Sequence, residues 1–146
     1  MNPITIAKDL AARVISNTHE EIFKATQGRI GGSVAGMPAL ILATTGRKSG
    51  RPHRIEIWFA LHDGRIYLLS GGGDRADWVK NIARDGGVHI QLGSRTVAAR
   101  GRLLEGGAED QRARELLDEK YMNWKPGKKL SSWARNALPV AIDLPR

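Results

Sequence analysis

"RIEIWFALHDGRIYLLS", residues 54–70, decides how the fold is read. Ile55, Ile57, Phe59 and Leu61 alternate with Arg54, Glu56, Trp58 and Ala60. A period of two sends successive side chains to opposite faces, as in a half-buried strand. "HDG" (62–64) carries turn residues, and Arg65 to Ser70 returns as the partner strand of a hairpin. Upstream, Ala39-Leu40-Ile41-Leu42 is a β-prone run. Downstream, Val88, Ile90 and Leu92 alternate with His89 and Gln91. "GS" (93–94) then turns the chain into a strand from Arg95 to about Leu104, and a last strand covers Pro139 to Leu144.

Helical spacing appears in three places. Asn2-Pro3 starts one helix, with Ile4, Ala7, Ala11, Val14, Thr18 and Ile22 on its stripe and Gly28 at its end, so a helix is expected over about 3–27. Asp74 is placed to cap a short helix through Arg84, ended by Gly86-Gly87. A third helix, Glu109 to Tyr121, carries Ala113, Leu116, Leu117 and Tyr121 on one side. Helices this sparse do not give βαβ alternation. The expected class is α+β: one domain, residues 1–146, with about six mainly antiparallel strands closed towards a small barrel and flanked by helices.

Composition narrows the function. The 146 residues contain no cysteine, which removes disulfides, thiolate catalysis and cysteine metal sites. The four histidines, His19, His53, His62 and His89, make no metal-ligand spacing, and Ser49 and Ser70 lie outside any nucleophile elbow. No apolar run approaches the ~20 residues of a membrane span, and the N-terminus has no signal-peptide pattern, so a cytoplasmic location is expected. Lys and Arg outnumber Asp and Glu by 23 to 15, a net charge of +8 that favours anionic partners. The cations are dispersed and no nucleic-acid recognition motif is present, so nucleic acid is not the expected partner.

Two stretches suggest a site with two walls, one charged and one intimate with backbone. In "TGRKSGR" (45–51), Gly46 and Gly50 permit close backbone approach, so amides could form an anion nest, with Arg47, Lys48 and Ser49 adding donors. The same residues would also serve as a solvated hairpin tip. In "LLSGGGDRADWVKNI" (68–82), a strand ends at three glycines immediately before a helix. These would either let a ligand approach the backbone or simply connect two elements.

Together the stretches resemble the flavin/deazaflavin oxidoreductase superfamily, specifically the deazaflavin-dependent nitroreductase family. The resemblance rests on Thr44-Thr45-Gly46-Arg47-Lys48-Ser49-Gly50, Trp58-Phe59, Ser70 with Gly72-Gly73, and Trp78-Val79-Lys80-Asn81-Ile82, and covers roughly residues 38–104. It implies a split β-barrel that binds coenzyme F420, a deazaflavin with a phospholactyl-oligoglutamate tail, and passes hydride to a quinone, nitroaromatic or activated enone. By the same resemblance Arg47, Lys48 and Ser49 would grip phosphate and tail carboxylates, with His53 and Arg54 lining that channel. Ile55, Glu56 and Ile57 would flank the ring with Leu69, Ser70 and Gly71, and Trp78 and Asn81 would close the pocket. Two positions depart from the family: Glu56 stands where many members have Pro, and Gly71 where some have Lys. They keep open an FMN-binding barrel, or a non-catalytic binder of an anionic or lipid ligand.

Tyr121 is a candidate proton donor or pocket wall, with a structural role as the alternative. Trp78, Trp124 and Trp133 would roof a planar acceptor. Lys120, Lys125, Lys128 and Lys129 around Trp124 would touch an anionic membrane surface or form a solvated loop. The expected partner is thus a small-molecule electron acceptor, with peripheral membrane contact as a second option, and the chain is either a monomer or a homodimer.

Overall fold

The computed structural model describes residues 36–146; the expected N-terminal helix and His19 lie outside them. Seven strands form one antiparallel sheet: β1 (Leu40–Thr45), β2 (Pro52–Ile57), β3 (Ala60–His62), β4 (Arg65–Ser70), β5 (Gly87–Leu92), β6 (Arg95–Leu103) and β7 (Leu138–Asp143). Their order is β2-β1-β5-β6-β7-β4-β3. The helices are α1 (Asp77–Arg84), α2 (Gly107–Met122) and α3 (Ser132–Asn136).

Side-chain alternation decides which way the sheet curls. Register pairs Leu40, Leu42 and Thr44 with Ile57, Ile55 and His53, and pairs Leu42 with Ile90 on β5. The inward face therefore carries Leu40, Leu42, Val88, Ile90 and Val97. Ile55 and Ile57 of β2 pack into the same cluster as Ile66 and Leu68 of β4, although four strands lie between β2 and β4 in the sheet. Only a curled sheet brings those edges together. The result is a half-barrel of the split-barrel α+β kind, filled at one end by Trp78, Val79 and Ile82 of α1. The opposite face of β4 and β7 packs Tyr67, Leu69 and Ala141 beneath Ala113 and Leu117 of α2.

Ion pairs fasten that second layer. Arg102 on β6 meets Glu109 of α2 through two parallel contacts of 2.6 and 2.8 Å, and Asp143 of β7 at 2.7 Å. Tyr67 donates to Glu109 at 2.8 Å. The Arg102 guanidinium, then the Tyr67 hydroxyl, hold the Glu109 carboxyl down to about 2 against the opposing cost of burial.

Three expectations change. The alternating run 54–61 is two strands, because Trp58-Phe59 turns a corner; the Phe59 amide donates to the Tyr121 hydroxyl at 3.0 Å and its carbonyl accepts from Lys120 at 2.9 Å. Side chains of α2 thus replace a neighbouring strand at that point, and six strands become seven. Asp74 does not cap the short helix: residues 73–75 make a 3-10 turn, and Ala76, extended and without a side-chain cap, precedes α1. The sheet also stays open, since β2 and β3 end it.

Candidate functional site

The strip between the two sheet edges, β2 on one side and β3–β4 on the other, is the candidate cleft. Among the described residues β2 has only β1 beside it in the sheet, and β3 covers β4 only at Arg65–Tyr67, so no described strand covers the outer edge of Leu68–Ser70. The basic loop stands at one end of β2, and the Trp58-Phe59 corner at the other. Six strand residues separate them by ~20 Å.

The loop is built tightly. The Gly46 amide donates to the Arg51 carbonyl at 2.7 Å, the Gly50 amide to the Gly46 carbonyl at 2.8 Å, and the Arg51 amide to Ser49 Oγ at 3.1 Å. A Cβ on Gly46 would sit 2.7 Å from Ser49 Oγ and 3.0 Å from the Arg51 carbonyl, so only glycine fits. Buried Asn81 of α1 locks the loop from beneath. Its Oδ1 accepts from the Arg47 amide (3.2 Å) and guanidinium (3.0 Å), while its Nδ2 donates to Thr44 Oγ1 at 3.0 Å. Arg47 also meets Asp77 at 3.1 Å, and this contact, with smaller help from His53 and Lys80, holds the Asp77 carboxyl below its ordinary range.

The nest expectation is therefore corrected. The amides of Gly46, Arg47, Gly50 and Arg51 are spent inside the hairpin and on Asn81, leaving cationic side chains as the exposed features. Lys48, Ser49 and Arg51 are exposed; Arg47 is partly buried and already paired.

Along β2 the named residues divide. His53, Ile55 and Ile57 share the inward face with Thr44, Leu42 and Leu40, whereas Arg54 and Glu56 share the opposite face with Ala43 and Ile41. One face cannot present all five side chains to a ring. Arg54 Nε is buried without a hydrogen-bond partner, and among the described residues Glu56 makes no ion pair. On β4, Leu69 packs under α2, and Ser70 points inward, its hydroxyl donating to the Gly73 carbonyl at 2.9 Å. Among the described residues nothing lies within 4 Å of a Cβ built on Gly71, so they leave the backbone there uncovered. Trp78 belongs to the core rather than to a pocket roof.

At the corner, Trp58 stacks on Tyr121 with ring centroids 4.4 Å apart and planes 5° from parallel. Trp133 stands edge-on to both, at 5.5 and 6.3 Å. Trp58 remains 44% exposed, so a flat apolar face is open to a ligand. Of the three tryptophans expected to form a roof, only Trp133 joins; Trp124 instead donates its indole N–H to the Lys128 carbonyl. The Tyr121 hydroxyl is occupied by the Phe59 amide and the Pro38 carbonyl, 3.0 and 2.8 Å away. Burial raises its pKa. Lys120 folds in against Phe59, which removes it from the expected surface cluster of lysines.

Sequence reasoning quotes Thr44 and Trp58 without giving them a role, gives Asp77 none and puts Lys120 on the surface; the structure gathers them around the loop and the corner. For Lys120 a signal existed: it lies three residues after Leu117, on the inward stripe of α2. No group of metal-ligating side chains occurs among the described residues, and none of their helices is long and apolar enough to cross a membrane.

Comparison with known proteins agrees with this architecture. Residues 15–145 match the family described as F420H(2)-dependent quinone reductase. An F420H(2)-dependent quinone reductase of Mycobacterium tuberculosis is 38% identical over 80 residues, 51% of this chain and 53% of that protein. The matched stretch thus spans about half the length of that relative. Among solved structures, a conserved hypothetical protein from Mycobacterium tuberculosis superposes with a TM-score of 0.70 at 22% identity, covering 82% of this chain and 81% of the other. An F420-H2 dependent reductase, FDR-A, gives 0.55 at 23% identity, covering 73% and 94%. At these identities the two structures speak for the fold alone. The matched family extends across the loop, the cleft and the aromatic corner, and the chain belongs to the F420H(2)-dependent quinone reductase family.

Proposed function

We propose that the chain is an F420H2-dependent oxidoreductase that reduces quinones, with nitroaromatics and activated enones as related acceptors. The observation that carries this reading is the layout of β2: exposed cations at one end and a stacked aromatic corner at the other, joined by an outer edge that no described strand covers. Family membership supports it. A molecule with a planar ring and a polyanionic tail fits that polarity.

The residues suit the cofactor. Lys48 and Arg51 are exposed cations beside the cleft, and Arg54 carries a buried unpartnered N–H that a phosphate or carboxylate would satisfy. Arg47 acts first by holding the loop in shape through Asn81 and Asp77, with Ser49 setting its turn. His53 stands on β2 next to this cationic end. Ile55 and Ile57 face the ring, and the open backbone around Leu69, Ser70 and Gly71 lets the ring approach closely. Trp78 supports this wall from the core. The bound deazaflavin would supply the hydride. The chain supplies position, water exclusion and charge: Trp58 offers the acceptor a flat face, with Tyr121 and Trp133 fixing its orientation.

Lys125, Lys128 and Lys129 are exposed near Trp124, which keeps peripheral membrane contact as part of the proposal for a lipophilic quinone. The deciding experiment is anaerobic mixing with F420H2 and a quinone panel. Protein-dependent reoxidation of F420H2 is expected; an unaltered rate with every acceptor would refute the assignment.

A further inference from the structure

Lys120 is a half-buried cation on the inward side of α2, whose two buried carboxylates, Asp110 and Asp118, are already taken by Arg114 and Ser131. Ala113 and Leu117, seven and three residues before it, share that side at helical spacing and are fully buried. Its Nζ donates to the Phe59 carbonyl at 2.9 Å and lies 3.8 Å from the centroid of the Phe59 ring and 5.0 Å from that of Tyr121. An ammonium has three N–H donors, and the carbonyl takes one. Among the described residues no carboxylate pairs with Lys120. Phe59 joins β2 to β3, so this cation stands at the aromatic corner, against the Phe59 and Tyr121 rings.

We infer that Lys120 binds the oxygen of the electron acceptor at the aromatic corner and gives it a proton as negative charge develops there. The inference rests on the quinone-reductase reading and adds a residue to it. A quinone that gains a hydride equivalent becomes a hydroquinone monoanion, with F420H2 as the reductant. One proton from Lys120 Nζ neutralises that anion and leaves a neutral amine, which solvent reprotonates. Burial pushes the Lys120 ammonium down to about 8, so the charged form prevails at neutral pH and releases its proton readily. Among the described residues Tyr121 is the titratable neighbour on its own helix, and the corner presents the Phe59 ring and carbonyl.

The test uses the full chain and two probes, 2-hydroxy-1,4-naphthoquinone, an anion at neutral pH, and menadione, which is neutral. Binding is followed by tryptophan fluorescence, beside an F420 titration of the same samples. Lys120→Met should weaken the anion about tenfold and leave menadione within about twofold, while Lys120→Arg restores the anion. Wild-type affinity for the anion should fall as pH rises through about 8, and the Met variant should show no such step. Equal affinity of wild type and Lys120→Met for the anion, equal loss of both probes, or no uptake of either probe by wild type would overturn the inference. Loss of both probes would make Lys120 a structural cap for the Phe59 carbonyl. F420 binding reads separately: its absence, with the anion step intact, would refute the cofactor assignment and leave Lys120 as an anion site.

Discussion

Asn81→Ala probes the link between the core and the basic loop. Asn81 is 2% exposed and makes three side-chain hydrogen bonds, two from Arg47 and one to Thr44, at 3.0–3.2 Å. Each is worth about 1 kcal/mol net, and truncation also strands the Arg47 amide and leaves a small void. The expected loss is about 3 kcal/mol, a large share of the 5–15 kcal/mol typical of a domain. With a urea slope of about 1.5 kcal/mol/M, the unfolding midpoint should fall by about 2 M. Because Asn81 also fixes where Arg47 and the neighbouring Lys48 point, F420 affinity should drop in urea-free buffer, where the variant is still folded. A double-mutant cycle with Arg47→Met should give a coupling of about 1 kcal/mol. A midpoint shift under about 0.5 M, or full F420 affinity with zero coupling, would refute the claim that α1 organises the loop.

The other predictions separate stability from binding. Gly101→Ala places a Cβ 3.1 Å from Ile142 Cδ1 and Ile82 Cγ2, so it should cost about 1–3 kcal/mol in urea unfolding while F420 affinity stays unchanged. Glu109 is held at about 2 in the fold, below its ordinary 4.5; its contribution is therefore present above 4.5 and lost as pH falls through about 2. Glu109→Gln should lower Tm most near neutral pH, and the gap from wild type should close in acid. Tyr121→Phe removes the acceptor of the Phe59 amide and the donor to the Pro38 carbonyl, so about 1–3 kcal/mol of stability should be lost. A variant as stable as wild type would show that the corner is held by ring stacking alone.

What the sequence made legible followed from period and turn chemistry. Alternation from Val88 to Leu92, the Gly93-Ser94 turn and the strand beginning at Arg95 appear in the structure as expected, because a strand's local pattern and its burial coincide there. The run 54–61 misled because alternation continues across Trp58-Phe59 while the backbone does not. The partners that turn it, Lys120 and Tyr121, lie some 60 residues away, and no local signal reports them. The basic loop was visible as a motif, but not its internal hydrogen bonding, since glycines that permit a nest equally permit a closed hairpin. The segment holding Trp78 and Asn81 stands out in the sequence, but its residues suggest a pocket wall. Helical spacing places both inward, where Trp78 fills the barrel and Asn81 carries the loop. The aromatic corner assembles from residues 58, 121 and 133, a tertiary meeting that spacing alone does not encode.

Titration with F420, followed by tryptophan fluorescence across a range of salt concentrations and compared with FMN, tests the cleft most directly. Saturable quenching by F420 is predicted, weakening as salt rises and weakened about tenfold in Lys48→Ala, with FMN binding more weakly. Quenching by FMN alone, or an F420 response indifferent to both salt and Lys48, would contradict the assignment of the cationic end of the cleft to the cofactor's acidic tail.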